Sequence, residues 1–282
     1  MNNNFIEALG KYTFLQNAMI TSIVVGIVAG VIGCFIILRG MSLMGDAISH
    51  AVLPGVAVSY IGGFSYFVGA TMFGVIASLV IGFVTQKSKL KSDTAIGIVF
   101  SSFFALGIIL ISFAQSSTDL YHILFGNVLA VRDSDMIITF GVAILVTAFV
   151  VIFYKELLVS SFDPIMAETY GLKTKVIHYS LMLLLTLVAV SALQTVGTIL
   201  VVAMLITPAA TAYLLTNKLS KMILLSVAIG VVSSILGLFF SYTYNLASGA
   251  TIVLVSSMFF ILAFIFSPKQ ALLLKKKGEK KK

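Results

Sequence analysis

Nine apolar stretches, each close to 20 residues long, run through this 282-residue chain at about 17–38, 42–61, 64–86, 93–114, 135–154, 176–194, 197–215, 222–244 and 250–267. A helix rises 1.5 Å per residue and the hydrocarbon core of a bilayer is ~30 Å thick, so each stretch can cross it. Backbone polar groups in lipid must be satisfied internally, which makes such segments helices. The pattern predicts an all-α, polytopic membrane bundle of eight or nine transmembrane helices, eight if two neighbours merge or break. Composition agrees: 60% of residues are hydrophobic and 10% charged, with a mean hydropathy of +1.13. A water-soluble domain carries roughly a quarter of its residues as charges. The connections are too short for a separate soluble domain, so residues 1–282 read as one transmembrane domain. The start lacks the basic region of a secretory signal, and residues 5–16 read as a short interfacial helix. A single cysteine, Cys34, excludes an internal disulfide framework and reads as a small buried hydrophobe.

The net charge of +8 fixes an orientation. Placing the Lys87/Lys89/Lys91 loop in the cytoplasm and alternating nine spans also puts Arg39, Lys155, Lys173, Lys175, Lys218, Lys221 and the lysine-rich tail inside. That assigns 16 of the 18 basic residues to one face, leaving Lys11 and Arg132 outside. The expected topology has the N-terminus outside and the C-terminus cytoplasmic. Outside, Glu7, Asp119, Asp133 and Asp135 outweigh Lys11 and Arg132, a mild attraction for cations that ordinary loop charges would also produce. The basic tail, 268–282, reads as an anchor on anionic lipid and not as a nucleic-acid site. Residues 120–131 are apolar but too short to cross. With both ends outside, they read as a re-entrant or surface segment carrying His122.

The second span carries the chemistry: Met41-Ser-Leu-Met-Gly-Asp46-Ala-Ile-Ser-His50-Ala-Val-Leu-Pro54. An aspartate at mid-span costs at least ~2.5–3.5 kcal/mol to insert. Asp46 and His50 are four apart and share a helical face, with Ser42 and Ser49 on or beside it. Counted as unbroken helix from Arg39, His50 lies roughly 16 Å deep. Pro54 lacks an N–H, so it should bend the helix and free the His50 carbonyl. A pair that merely satisfies itself and packs the bundle is one reading. A metal or proton site is the other, because intramembrane ionisable groups mark transport pathways. Carboxylate plus imidazole suits manganese, iron or zinc and not copper(I). The seventh span faintly repeats the second, with Pro208 for Pro54 and Met204 where His50 stands, but no carboxylate. The topology puts His122 and His178 near opposite faces. Four-fold coordination is therefore met most simply by two copies of the chain, as Asp₂His₂.

Between Lys155 and Lys175, residues 162–172 read as a compact cytoplasmic helix. Asp163 suits its N-cap, Pro164 its first turn and Gly171 its stop, with Glu168 and Tyr170 between. Such a helix docks onto a partner or lies on the membrane as a connector. No phosphate-binding loop, zinc-protease or serine-hydrolase motif is present, so the chain itself is not expected to be an enzyme.

The run Leu38-Arg-Gly-Met-Ser-Leu-Met-Gly-Asp-Ala-Ile-Ser-His-Ala-Val-Leu-Pro-Gly55 strongly resembles the permease subunits of metal-type ABC importers. Lys91–Gly97, Ser117–Asn127 and Gly197–Thr211 extend the likeness along the chain, which looks most like the Gram-positive manganese permeases. The resemblance implies a multi-pass plasma-membrane permease that pairs with a second copy of itself. It further implies two copies of a separate ATPase, which binds the ATP, and an extracellular metal-binding lipoprotein. Asp46 and His50 would be metal ligands of the pathway, and 162–172 the coupling helix. Transported Mn²⁺, with Zn²⁺ or Fe²⁺ as alternatives, would be cargo and no cofactor would be resident. Two readings compete: a secondary cation transporter or channel without an ATPase, and an intramembrane metalloenzyme. The latter lacks a general base or nucleophile near the pair.

Overall fold

A computed structural model describes residues 5–114 and 128–267. Among them, secondary structure is helical and no strand occurs. In chain order the helices are α1 (Phe5–Lys11), α2 (Thr13–Leu38), α3 (Met44–Ala51), α4 (Leu53–Gly62), α5 (Tyr66–Lys87) and α6 (Ser92–Ala114). A short 3₁₀ turn at Val128–Ala130 precedes α7 (Asp133–Ile152), α8 (Tyr154–Phe162), α9 (Pro164–Thr169), α10 (Thr174–Val196), α11 (Thr198–Leu215), α12 (Leu219–Tyr244) and α13 (Ser248–Phe266). Eight of these helices (α2, α5, α6, α7, α10, α11, α12 and α13) are long and apolar enough to cross a membrane. The stretch predicted as the second span, 42–61, is instead two shorter helices, α3 and α4, interrupted at Val52.

Lipid tails are as apolar as leucine, so close packing rather than water exclusion holds such helices together. Small residues provide it. α2 packs along α12, where a Cβ on Gly26 would stand only 3.0 Å from the Gly230 backbone. α4 meets α5 at Gly55 and Gly69, whose backbones leave no room for a Cβ on either. α2 and α10 form the buried centre: Ala18, Ile32, Phe35, Leu181, Leu185 and Val188 are fully enclosed. α6, α7 and α13 present broad apolar faces outward.

Three expectations need correction. Residues 5–16 are not one helix: extended backbone at Tyr12 ends α1 and starts α2. Phe5 of α1 then packs edge-on against Phe239 and Tyr242, with ring centroids 5.5 and 5.9 Å away. The stretch after the fifth span is not loop until 162, because helix resumes at Tyr154 after a one-residue break at Phe153. His50 does not lie on unbroken helix from Arg39: Gly40, at φ +65°, closes α2, and helix restarts only at Met44. The depth counted from Arg39 as unbroken helix therefore does not apply. Most of 120–131, with His122, and the tail 268–282 lie outside the described residues.

Candidate metal site on a broken helix

α3 is eight residues long, with Asp46 in its first turn and His50 in its last. Both placements suit the helix dipole, which favours an anion at the N-terminal end and a cation at the C-terminal end. The i,i+4 spacing brings the side chains together as predicted: His50 Nε2 lies 3.6 Å from Asp46 Oδ1. That is too long for a good hydrogen bond. The side chains are 32% and 49% exposed, respectively. In the single chain the two side chains therefore do not satisfy each other.

α6 supplies what the sequence alone did not reveal. Phe100 and Phe104, one turn apart, both place their rings 5.6 Å from the His50 imidazole and stack on each other at 5.8 Å. His50 Nδ1 is buried without a hydrogen-bond partner, while Nε2 faces Asp46. The imidazole is thus held by apolar rings on one side and presents one nitrogen beside one carboxylate. An i,i+4 aromatic pair on the fourth apolar stretch was visible in the sequence, but nothing local said that this face meets α3.

The serines divide. Ser49 is buried and donates to the Gly45 carbonyl at 2.9 Å, so it is turned into its own helix. Ser42 precedes α3 in the turn. Pro54 sits in the first turn of α4, with the break two residues ahead of it. The expected free carbonyl at His50 is not left open, because backbone N–H groups at the α3 cap reach both His50 O and Ile48 O. Pro208 lies inside α11, which continues through it, and Met204 is buried. Among the described residues, no group of three or more His, Cys, Asp or Glu side chains gathers into a metal-holding cluster. His178 is at the start of α10, well away in the fold, lining a cavity with Arg39.

The segment 162–172 forms as its residues dictate. Asp163 caps α9 by accepting from the Met166 N–H at 2.9 Å, Pro164 opens the helix, and Gly171, at φ +78°, ends it. Glu168 accepts a 2.6 Å hydrogen bond from the Thr174 hydroxyl. Ile165 and Tyr170 are 81% and 68% exposed, while Ala167 is buried against the bundle. α8, just before it, is tied to the end of α2 by Arg39, which donates to the Ser160 and Ser161 hydroxyls at 2.7 and 3.2 Å.

A many-helix bundle with an open ionisable pair on a broken helix is the architecture of a membrane transport protein. The chain belongs to the ABC 3 transport family, whose pattern it matches over residues 11–267. It is 72% identical over 275 residues to the manganese transport system membrane protein MntC of Listeria monocytogenes, covering 98% of both chains. It is 61% identical over 276 residues to the manganese import system permease protein ScaB of Streptococcus gordonii, covering 98% of this chain and 99% of that one. Among solved structures it is similar to PsaBC from Streptococcus pneumoniae in complex with Fab. That match has a TM-score of 0.87 and 59% identity, covering 98% of this chain and all of the other. The chain is a multi-pass plasma-membrane protein.

Proposed function

We propose that the chain is the membrane-spanning subunit of an ATP-driven importer that carries Mn²⁺ into the cytoplasm, with Asp46 and His50 as ligands on the pathway. The observation that carries this reading is the open pair itself. One carboxylate and one imidazole nitrogen share a helical face at 3.6 Å, exposed and held from behind by Phe100 and Phe104. Oxygen and nitrogen donors suit Mn²⁺, and also Zn²⁺ and Fe²⁺. Manganese comes first because the relatives' names specify it.

Two ligands are half a site. A second copy of the chain, related by a two-fold axis, would complete it as Asp₂His₂. The energy would come from a separate ATPase dimer, engaged by α9 as a coupling helix through the exposed Ile165 and Tyr170. An extracellular metal-binding lipoprotein would deliver the ion to the face opposite the basic loops. A capped helix that leaves Ile165 and Tyr170 exposed favours this reading over a secondary transporter without an ATPase.

The test is ⁵⁴Mn uptake by cells expressing Asp46→Ala or His50→Ala, alongside purification of the complex. Uptake should fall to background while the ATPase still co-purifies; normal accumulation by both variants would refute the pathway. Ile165→Glu should show the converse, a folded chain that has lost its ATPase.

A further inference from the structure

A cavity of about 650 Å³ opens beside α9, where α2 and α5 end and where α6 and α10 begin. Counting the end of α8 at Ser160 and Ser161 and the start of α9 at Pro164, three helix C-termini and three N-termini meet there, so the helix dipoles offset one another to first order. What is left is the side-chain charge. Arg39, Lys87 and Lys175 line the cavity as cations, against the one carboxylate of Glu168, which is already engaged by the Thr174 hydroxyl. Among the described residues, no carboxylate lies within 4 Å of any of these three cations, since the only such pair is His50 with Asp46.

Lys87 and Lys175 are exposed, and of the three cations only Arg39 is half-buried, where burial lowers its pKa from the ordinary arginine value. Its guanidinium has five N–H donors and spends two of them on Ser160 and Ser161, which fix the fork in place. An oriented guanidinium with unspent donors, sharing a cavity with two exposed ammonium groups, matches the oxygens of a phosphoryl group. A transition-metal cation would be repelled, so this cavity is distinct in kind from the Asp46/His50 site.

We propose that this cavity binds a phosphoryl anion, supplied as free phosphate or as the phosphate of an anionic lipid headgroup. The surrounding face carries the Lys87/Lys89/Lys91 loop and Lys173, the kind of basic rim that draws anionic lipid. The cavity shares Pro164 and Glu168 with the segment assigned to ATPase coupling, but neither metal ligand, Asp46 nor His50, lines it.

The test follows thermal unfolding of the full-length protein in a neutral detergent at fixed ionic strength. The probes are inorganic phosphate, short-chain phosphatidylglycerol, and short-chain phosphatidylcholine as the zwitterionic control. Stabilisation by phosphate and phosphatidylglycerol supports a site open to either source. Stabilisation by phosphatidylglycerol alone supports a headgroup site. If neither exceeds the control, the proposal is overturned. Lys87 and Lys175 are exposed, so the Lys87→Gln/Lys175→Gln variant should fold normally and bind the effective probe about tenfold more weakly. Unchanged binding by that variant also overturns the proposal. Arg39→Lys, which keeps the charge and loses the fork, should fall between the two.

Discussion

Apart from Pro164, which opens the short α9, two prolines among the described residues lie in helices of the bundle, and the chain meets them differently. At Pro54 the chain divides into α3 and α4, leaving the pair Asp46 and His50 open on a short helix. At Pro208 α11 runs on unbroken, with Met204 and Pro208 buried among α2, α12 and α13. Near each proline a hydroxyl bonds back to the carbonyl four residues earlier, Ser49 of α3 to Gly45 and Thr211 of α11 to Thr207. A proline by itself therefore does not break a helix in this fold. α11 buries Leu200, Val201, Met204, Leu205 and Pro208 along one face and carries no carboxylate or imidazole. α4 is pressed backbone to backbone onto α5 at Gly55 and Gly69, and α3 and α4 both lie against α6, where Gly107 meets Leu53 and Pro54.

The largest expected effect separates the two helices by chemistry. His50→Leu should reduce metal uptake to background, whereas Met204→Leu, a volume-conserving change in α11, should leave it within about twofold. Equal loss in ⁵⁴Mn uptake would erase the distinction. Next is packing. Gly55→Val has no room against Gly69 and should remove most folded protein, read by size-exclusion chromatography of a fluorescent fusion. Gly249→Ala, whose new Cβ would meet Leu200 at an ordinary 3.8 Å, should leave that peak intact.

The prolines themselves come third. Pro54→Ala restores a donor where α3 and α4 divide and should cut uptake severalfold. Pro208→Ala restores one in a helix already continuous and should leave uptake unchanged, with thermal stability equal or higher. Similar losses in both would mean that the break is not what opens the site. Smallest is Ser49→Ala, which removes a hydroxyl already spent on its own helix. Uptake should hold, and unfolding should shift by no more than about 1 kcal/mol. A large fall in uptake would place Ser49 among the ligands.

Much of this was legible in the sequence where the physics is local. Asp163, Pro164 and Gly171 specify a capped six-residue helix because cap, first turn and stop each depend on a few neighbouring residues. The i,i+4 spacing of Asp46 and His50 fixes their common face once helix is granted. Other features were hidden because they depend on contacts distant in sequence. Phe100 and Phe104 reach His50 only through the packing of α6 on α3. Arg39 looked like an interfacial charge until Ser160 and Ser161 arrived beside it from more than 120 residues away.

By itself, the sequence determined that the chain crosses a membrane many times as helices, and where its polar pair falls. Hydrocarbon leaves the backbone few other options, and charge is too costly there to be incidental. The tertiary structure decided that the second span would break at Val52, and that the pair would be open on one side and backed by phenylalanines on the other. It also decided that three cations would share a cavity near the start of α10. These are outcomes of which helices approach one another, and that depends on contacts between residues far apart in sequence, such as Gly55 with Gly69 and His50 with Phe100.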